Sequence, residues 1–195
     1  MIKTVYCKFF LMAVMMLLSY QNIFCQQTIK NNDKYPYITV QFYNAGIGTT
    51  NSTFGALRTY TDLLQYQPDI VIFEFSINDS QNDRVEDGTE GLLRQILTSE
   101  KGPAVIMLAM MNQWGGNVQE KHIPLAQHYN IPFVSFRNMF EPMLKDSIIS
   151  PKQLLADAVH PNTTGHELAG RIVNLVLDKA YTSKSDYRRK RACYA

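Results

Sequence analysis

Between Cys25 and Cys193 the chain has no cysteine, and the third, Cys7, also lies near an end. A disulfide framework or a cysteine-based metal site in the body is thereby excluded. Histidine is scarce. His122, His128, His160 and His166 form no compact zinc spacing such as H-E-x-x-H. His122 and His128 fall on different helix faces and read as ordinary surface or half-buried residues. Excess charge of one sign is lacking too: the formal net charge is +2, which points to no particular partner. The basic residues Arg188, Arg189, Lys190 and Arg191 sit in a tail, 183–195, that reads as solvated and frayed, not as a nucleic-acid surface. No apolar run approaches the roughly 20 residues of a membrane helix.

What is present begins with a basic and then apolar N-terminus. Lys3 and Lys8 flank or precede Phe9 to Leu18, "FFLMAVMMLL", an uncharged run of ten. That length suits the core of an export signal over residues 1–25. A cut after Cys25 leaves Gln26 first, and no membrane span then remains. Phe24 stands where a lipid-anchored cysteine needs a small residue. Export to the periplasm, cell surface or medium is the expectation.

Residues 26–182 read as one domain, with 46% hydrophobic residues in the whole chain to build a core. Strand-like runs are "YITVQFY" (37–43), "DIVIFEFS" (69–76), "PAVIMLAM" (103–110) and "IPFVSF" (131–136). Helix-like stretches alternate with them: 54–66 with Leu57, Tyr60, Leu64 and Leu63 inward, 89–97, and 118–129, where Pro124 implies a helix start or a kink. In the last helix Thr164 and Glu167 have capping-box spacing, and Leu168, Ile172, Leu175 and Val176 mark its inner face. Such alternation implies a parallel sheet covered by helices, with ligands beyond the strand C-termini. The segments that follow the strands are "NAGIGTTNS" (44–52), "INDSQND" (77–83), "NQWGG" (112–116) and, further on, "DAVHP" (157–161).

These segments can do acyl-transfer chemistry. The Asp157 carboxylate can accept the Nδ1 proton of His160 and fix its tautomer, while Nε2 takes a proton from a hydroxyl. Pro161 biases His160 toward extended backbone. Gly46 and Gly48 can turn backbone amides inward, and Asn78 adds a side-chain amide, so an oxyanion hole is within reach. Taken singly, each feature is equally a turn or a cap. An anion cradle at "NAGIGTT" is a further option, but nothing nearby supplies a Lys or Arg to pair with the anion.

Together, "NAGIGTT", "SINDS" and "DAVHPNTTGHELA" resemble successive blocks of the SGNH or GDSL hydrolases. The stretch "YNAGIGTTNSTFGALRTYTDLLQYQPDIVIFEFSIND" is similar to a bacterial, carbohydrate-esterase-like branch. The resemblance runs over about residues 40–180. It implies a three-layer flavodoxin-like α/β sheet and ester hydrolysis through an acyl-serine, without metal or other cofactor. It implies Asn78 and the amides of Gly48 and Thr49 as oxyanion donors, His160 as general base and Asp157 as its partner.

The chain departs from that pattern at three places. Thr49 stands for the oxyanion glycine and Ser76 for the glycine before the Asn pair. No G-D-S or G-G-S block precedes residue 44, so the nucleophile is unassigned. Ser19 is the one candidate that follows an apolar run, while Ser52 and Ser80 fall at the wrong places in the motif. The family's first strand is interior, so either residues 9–18 fill its slot or the chain lacks a strand, as in a gene with an internal deletion. The expectation is therefore an exported esterase of small-molecule or carbohydrate esters, with absent or very weak activity as the sequence stands. The alternative is a non-catalytic, ligand-binding relative of the same fold.

Overall fold

Among the described residues, six strands and the helices between them form three layers. The computed structural model describes residues 5–12, 27–29, 38–81, 84 and 86–182. The strands are β1 Val5–Met12, β2 Gln27–Ile29, β3 Ile38–Asn44, β4 Ile70–Phe73, β5 Ala104–Ala109 and β6 Phe133–Ser135. They lie in the order β2-β3-β1-β4-β5-β6. All neighbours are parallel except β2, which runs antiparallel on β3. Without that edge strand the order is flavodoxin-like, 2-1-3-4-5.

The inner slot is filled by the N-terminal apolar segment, in the register Phe9↔Phe42 on one side and Phe9↔Ile70 on the other. The strand is Val5–Met12, four residues upstream of the expected run at its start. Residues 13–18 separate its end from Ser19, which lies outside the described residues, as do Cys25 and the basic tail.

The helices are α1 Ser52–Leu57, α2 Thr59–Asp62, α3 Gly91–Thr98, α4 Gln119–His128, α5 Phe136–Lys145 and α6 Thr163–Thr182. Successive residues of β5 serve opposite faces, as a strand of period two must. Val105 and Met107 join a core with Leu63, Phe73, Leu92 and Ile96. Ile106 and Leu108 join a second core with Val134, Phe136, Ile172 and Val173. Helices on both faces explain why β5 reads as an unbroken apolar run.

Three sequence expectations are corrected. Leu57 and Tyr60 face solvent, 82% and 69% exposed, while Leu63 is fully buried. The helix breaks at Arg58 and packs through Gly55, where a Cβ would lie 2.8 Å from both Leu92 Cδ1 and Phe75 Cζ. So close an approach leaves no room for leucine on the inner face. In α6 the cap is Asn162, whose Oδ1 accepts from Gly165 N at 2.9 Å; Glu167 instead pairs with Arg171. The buried stripe is Gly165, Ala169, Ile172 and Val173, and Leu175 is 64% exposed. Finally, His122 is buried, bonded to Asp79. Pro124 lies within α4, in the second turn, and is exposed.

Candidate active site

The chain leaves β1 at Met12, paired with Phe73, one step past the pairing of Leu11 with Asn44. It emerges between the ends of β3 and β4, the point where the strand order reverses and α/β sheets open a crevice. The loops of interest flank that point.

Asn44 starts the first loop by accepting Gly46 N at 2.9 Å, and Thr50 Oγ1 closes it onto Ile47 O at 2.7 Å. Thr49 adopts φ +60°, the left-handed region that a β-branched residue enters only under strain. Its hydroxyl donates to Gly48 O at 2.6 Å. Beneath the loop, Arg58 Nη1 donates to Ala45 O and to Asp62 Oδ2, each at 2.6 Å. A cation therefore does stand under "NAGIGTT", contrary to the sequence reading. It arrives from the next helix and is already matched by Asp62.

The exit of β4 is a buried polar turn. Glu74 Oε1 accepts from Ser76 N at 2.9 Å, Ser76 Oγ at 2.5 Å and Met110 N at 3.4 Å. Burial raises the Glu74 carboxyl above the usual carboxylate range, and the bonds from Ser76 and Met110 partly counter it. Phe75 O then accepts both Asn78 N and Asp79 N. Asn78 Nδ2 donates to Thr50 O at 2.9 Å, which leaves its second N–H for another acceptor. Asp79 Oδ1 takes Ser52 N at 2.7 Å, and Oδ2 takes Thr89 Oγ1 at 3.2 Å and pairs with His122 Nε2 at 2.9 Å. The Asn78–Asp79 pair thus joins the β3 and β4 loops twice. Ser52 is buried in this network, its hydroxyl hydrogen-bonded to that of Thr89 at 3.0 Å, and so cannot serve as a nucleophile there.

Asp157 and His160 occupy a self-ordered loop. Leu155 and Pro161 form an isolated bridge, and Ala156 N donates to His160 O at 2.8 Å. Asp157 Oδ1 accepts Val159 N at 2.9 Å and His160 N at 2.8 Å, while Oδ2 lies 2.6 Å from His160 Nδ1. The Val159 amide, then the His160 ring and amide, hold the Asp157 carboxyl down at about 2. An ionised Asp157 fixes the proton on Nδ1 and leaves Nε2 free to accept one.

Asp157 and His160 are thus in direct contact, and Asn78 meets the Gly48–Thr49 loop through Thr50. The two halves are linked along the rim: Val118 N donates to Ser76 O at 2.9 Å, and Gln113 N to Ala158 O at 2.8 Å. Sequence reasoning missed Glu74, Asp79, His122 and Arg58 as supports of these loops. A carboxylate at the end of an apolar strand was the available signal for Glu74; for His122 there was none. An open depression beside α1 is lined by Asn51, Thr53, Phe54, Leu57, Arg84 and Asp87, none of them a predicted site residue.

Fold and rim define the class: a three-layer, flavodoxin-like α/β protein with a histidine–aspartate dyad beyond its strand C-termini. Residues 19–168 match the GDSL-like Lipase/Acylhydrolase family, and the chain belongs to it. It is similar to the thioesterase 1/protease 1/lysophospholipase L1 of Escherichia coli K12, with 27% identity over 67% of this chain and 64% of that one. Among solved structures it resembles a two-domain esterase (CEX) active on acetylated mannans, with 37% identity and a TM-score of 0.73 over 77% of this chain. It spans 41% of that esterase. The acetylxylan esterase Axe2 of Geobacillus stearothermophilus shares the fold, with a TM-score of 0.58 at 22% identity over 71% of this chain and 73% of that one.

Proposed function

We propose that the chain is built to hydrolyse esters of carbohydrates by acyl transfer. The observation that carries this reading is the Asp157–His160 dyad, 2.6 Å between Oδ2 and Nδ1, on the same rim as the Asn78 and Thr49 loops. His160 Nε2 takes the proton of an attacking hydroxyl and returns it to the departing alcohol. The second N–H of Asn78 and the amides of Gly48 and Thr49 hold the oxyanion, an arrangement worth a few kcal/mol at the transition state. Resemblance to the esterase active on acetylated mannans supports a sugar as the alcohol.

The attacking hydroxyl decides between two readings. The described strand β1 ends at Met12, opposite Phe73, and in the sequence Ser19 is the only serine between Met12 and Gln27. That observation favours a second reading, a relative that binds ligand and turns it over poorly. Export is part of the proposal and rests on Lys3, Lys8 and the apolar run. A cut after Cys25 would remove β1, so the exported protein keeps this sheet only with the segment attached.

Release of p-nitrophenol from p-nitrophenyl acetate by the full chain, lost in His160→Ala, supports the enzyme. Turnover that survives His160→Ala sinks this mechanism, and saccharide binding without turnover supports the second reading.

A further inference from the structure

The chain's single tryptophan, Trp114, is 74% exposed on the loop between β5 and α4. Lone exposed apolar side chains are common and need no purpose. This one is held in place by unusual local order. Asn112 Oδ1 accepts Trp114 N at 3.0 Å and Gly116 N at 2.9 Å. Asn112 N donates to Gly116 O at 3.0 Å, and Gly115 N to Asn112 O at 2.9 Å. Gly115 has φ +78° and seats the loop on α5, where a Cβ would come within 2.8 Å of Glu141 Cγ. The loop is closed by its own hydrogen bonds, with the large side chain outside.

The same loop touches the dyad. Gln113 N donates to Ala158 O at 2.8 Å, and Ala158 lies between Asp157 and His160. Trp114 is therefore one residue from a direct bond to the loop that carries His160.

Chemistry decides what belongs there. In acyl transfer the group that needs a proton on departure is the alcohol, so the alcohol part of an ester must lie beside His160. The acyl oxygen lies toward the oxyanion donors, on the Asn78 side. The loop tied to His160 thus borders the alcohol. Met110, Met111 and Val118 at its ends are buried, and its other residues besides Trp114 are polar or glycine: Asn112, Gln113, Gly115, Gly116 and Asn117. A fatty chain needs a continuous apolar groove, which this loop does not offer. A pyranose has one flat face of C–H groups and a rim of hydroxyls, and it matches one aromatic face bordered by amides.

We propose that Trp114 is a stacking platform for a sugar ring in the leaving-group subsite. The assignment of that side to the alcohol rests on the ester-hydrolase reading; the platform itself needs no turnover.

Since Trp114 is the only tryptophan, its emission reports this loop alone. The full chain is titrated with a β-1,4-mannooligosaccharide and with a xylooligosaccharide, neither acetylated. The expected result is a saturable change in tryptophan emission, with shielding from acrylamide, for at least one of them. By calorimetry, Trp114→Ala binds that sugar roughly tenfold more weakly and Trp114→Phe recovers part of the loss. An unchanged melting temperature in both variants assigns the loss to the ring. Binding by neither sugar overturns the proposal, as does binding that leaves the emission and the Trp114→Ala affinity unchanged. Hydrolysis of p-nitrophenyl acetate with no sugar response keeps the hydrolase and ends the platform. A sugar response without hydrolysis keeps the platform and supports the second reading, a relative that binds ligand without turning it over.

Discussion

The Ser76 hydroxyl donates to Glu74 Oε1 at 2.5 Å, and both side chains are buried at the exit of β4. This pair explains how a serine can stand where the family resemblance expects glycine. A hydroxyl brought into a buried turn needs an acceptor, and Glu74 supplies it two residues upstream. The turn they shape presents Asn78.

Because burial raises the Glu74 carboxyl, the folded chain binds more protons than the unfolded one above about pH 4, and stability falls as pH rises. Glu74→Gln keeps an acceptor for Ser76 without the buried charge. It is expected to be more stable than wild type at pH 8, with the difference fading toward pH 4. Glu74→Ala leaves the buried Ser76 N–H without its acceptor and the hydroxyl with only Met110 O at 3.4 Å, and should cost about 1–3 kcal/mol at either pH. Urea denaturation at the two pH values checks both signs. A Glu74→Gln protein less stable at pH 8 than wild type would show that the carboxylate is wanted in its charged form.

The pattern of polar loops after apolar strands made the rim legible, because period and turn chemistry are local properties. The pairing of Asp157 with His160 was legible for the same reason: the four residues 157–160 contain the hydrogen bonds that make it. Helix faces were less so. Leu57 and Tyr60 have the spacing of an inner face, but Gly55 sets the packing through contacts with Phe75 and Leu92, which no local pattern records. Asp79 and His122 are 43 positions apart and meet only in the fold. The N-terminal run is a separate case. An apolar segment with basic flanks looks alike as an export signal and as an inner strand, and only the unfilled slot in the strand order argued for the second.

Asp157 should titrate with a midpoint of about 2, since the Val159 and His160 amides and the His160 ring all favour its charged form. Its depressed value means that the carboxylate supports the loop above about pH 4 and withdraws that support as pH falls toward 2. His160→Ala is expected to raise the midpoint only in part, because the Val159 amide is the largest cause. Carboxyl carbon shifts followed by NMR measure it. A midpoint that returns to the ordinary value near 3.9 in His160→Ala would show that the ring alone holds the charge.

Gly165 lies where α6 passes the backbone of the dyad's loop. A Cβ there would clash with Leu154 O, and that carbonyl also accepts Asn162 N at 3.0 Å at the base of the loop. Gly165→Ala should cost about 1–3 kcal/mol and disturb the Asp157 midpoint as well. Gly170, in the same helix, has nothing within 4 Å of its Cβ position. Gly170→Ala should stabilise by roughly 0.5–1 kcal/mol, as in any open helix interior. Thermal melts of the two variants should move in opposite directions. Equal effects would mean that α6 can slide away from Leu154 without cost.

The last prediction concerns residues 1–25. Val5–Met12 pairs with β3 and β4 together, so removing it leaves two parallel strands with unpaired edges inside the sheet. A chain beginning at Gln26 is expected to be insoluble or to lack a cooperative melt, while the full chain melts in one step. The same pair of proteins addresses the nucleophile. His160 can deprotonate a hydroxyl only within about 2.6–3.2 Å. With no serine between Met12 and Ser19, hydrolysis of p-nitrophenyl acetate by the full chain should be absent or very weak. What remains without a nucleophile is roughly the 10³–10⁴-fold over water that oxyanion donors and binding supply. Ser19→Ala should abolish any activity above that level. Robust turnover unaffected by Ser19→Ala would place the nucleophile elsewhere. A folded, cooperative chain from Gln26 onward would show instead that the inner slot can be closed without β1, and that residues 1–25 are free to act as a signal alone.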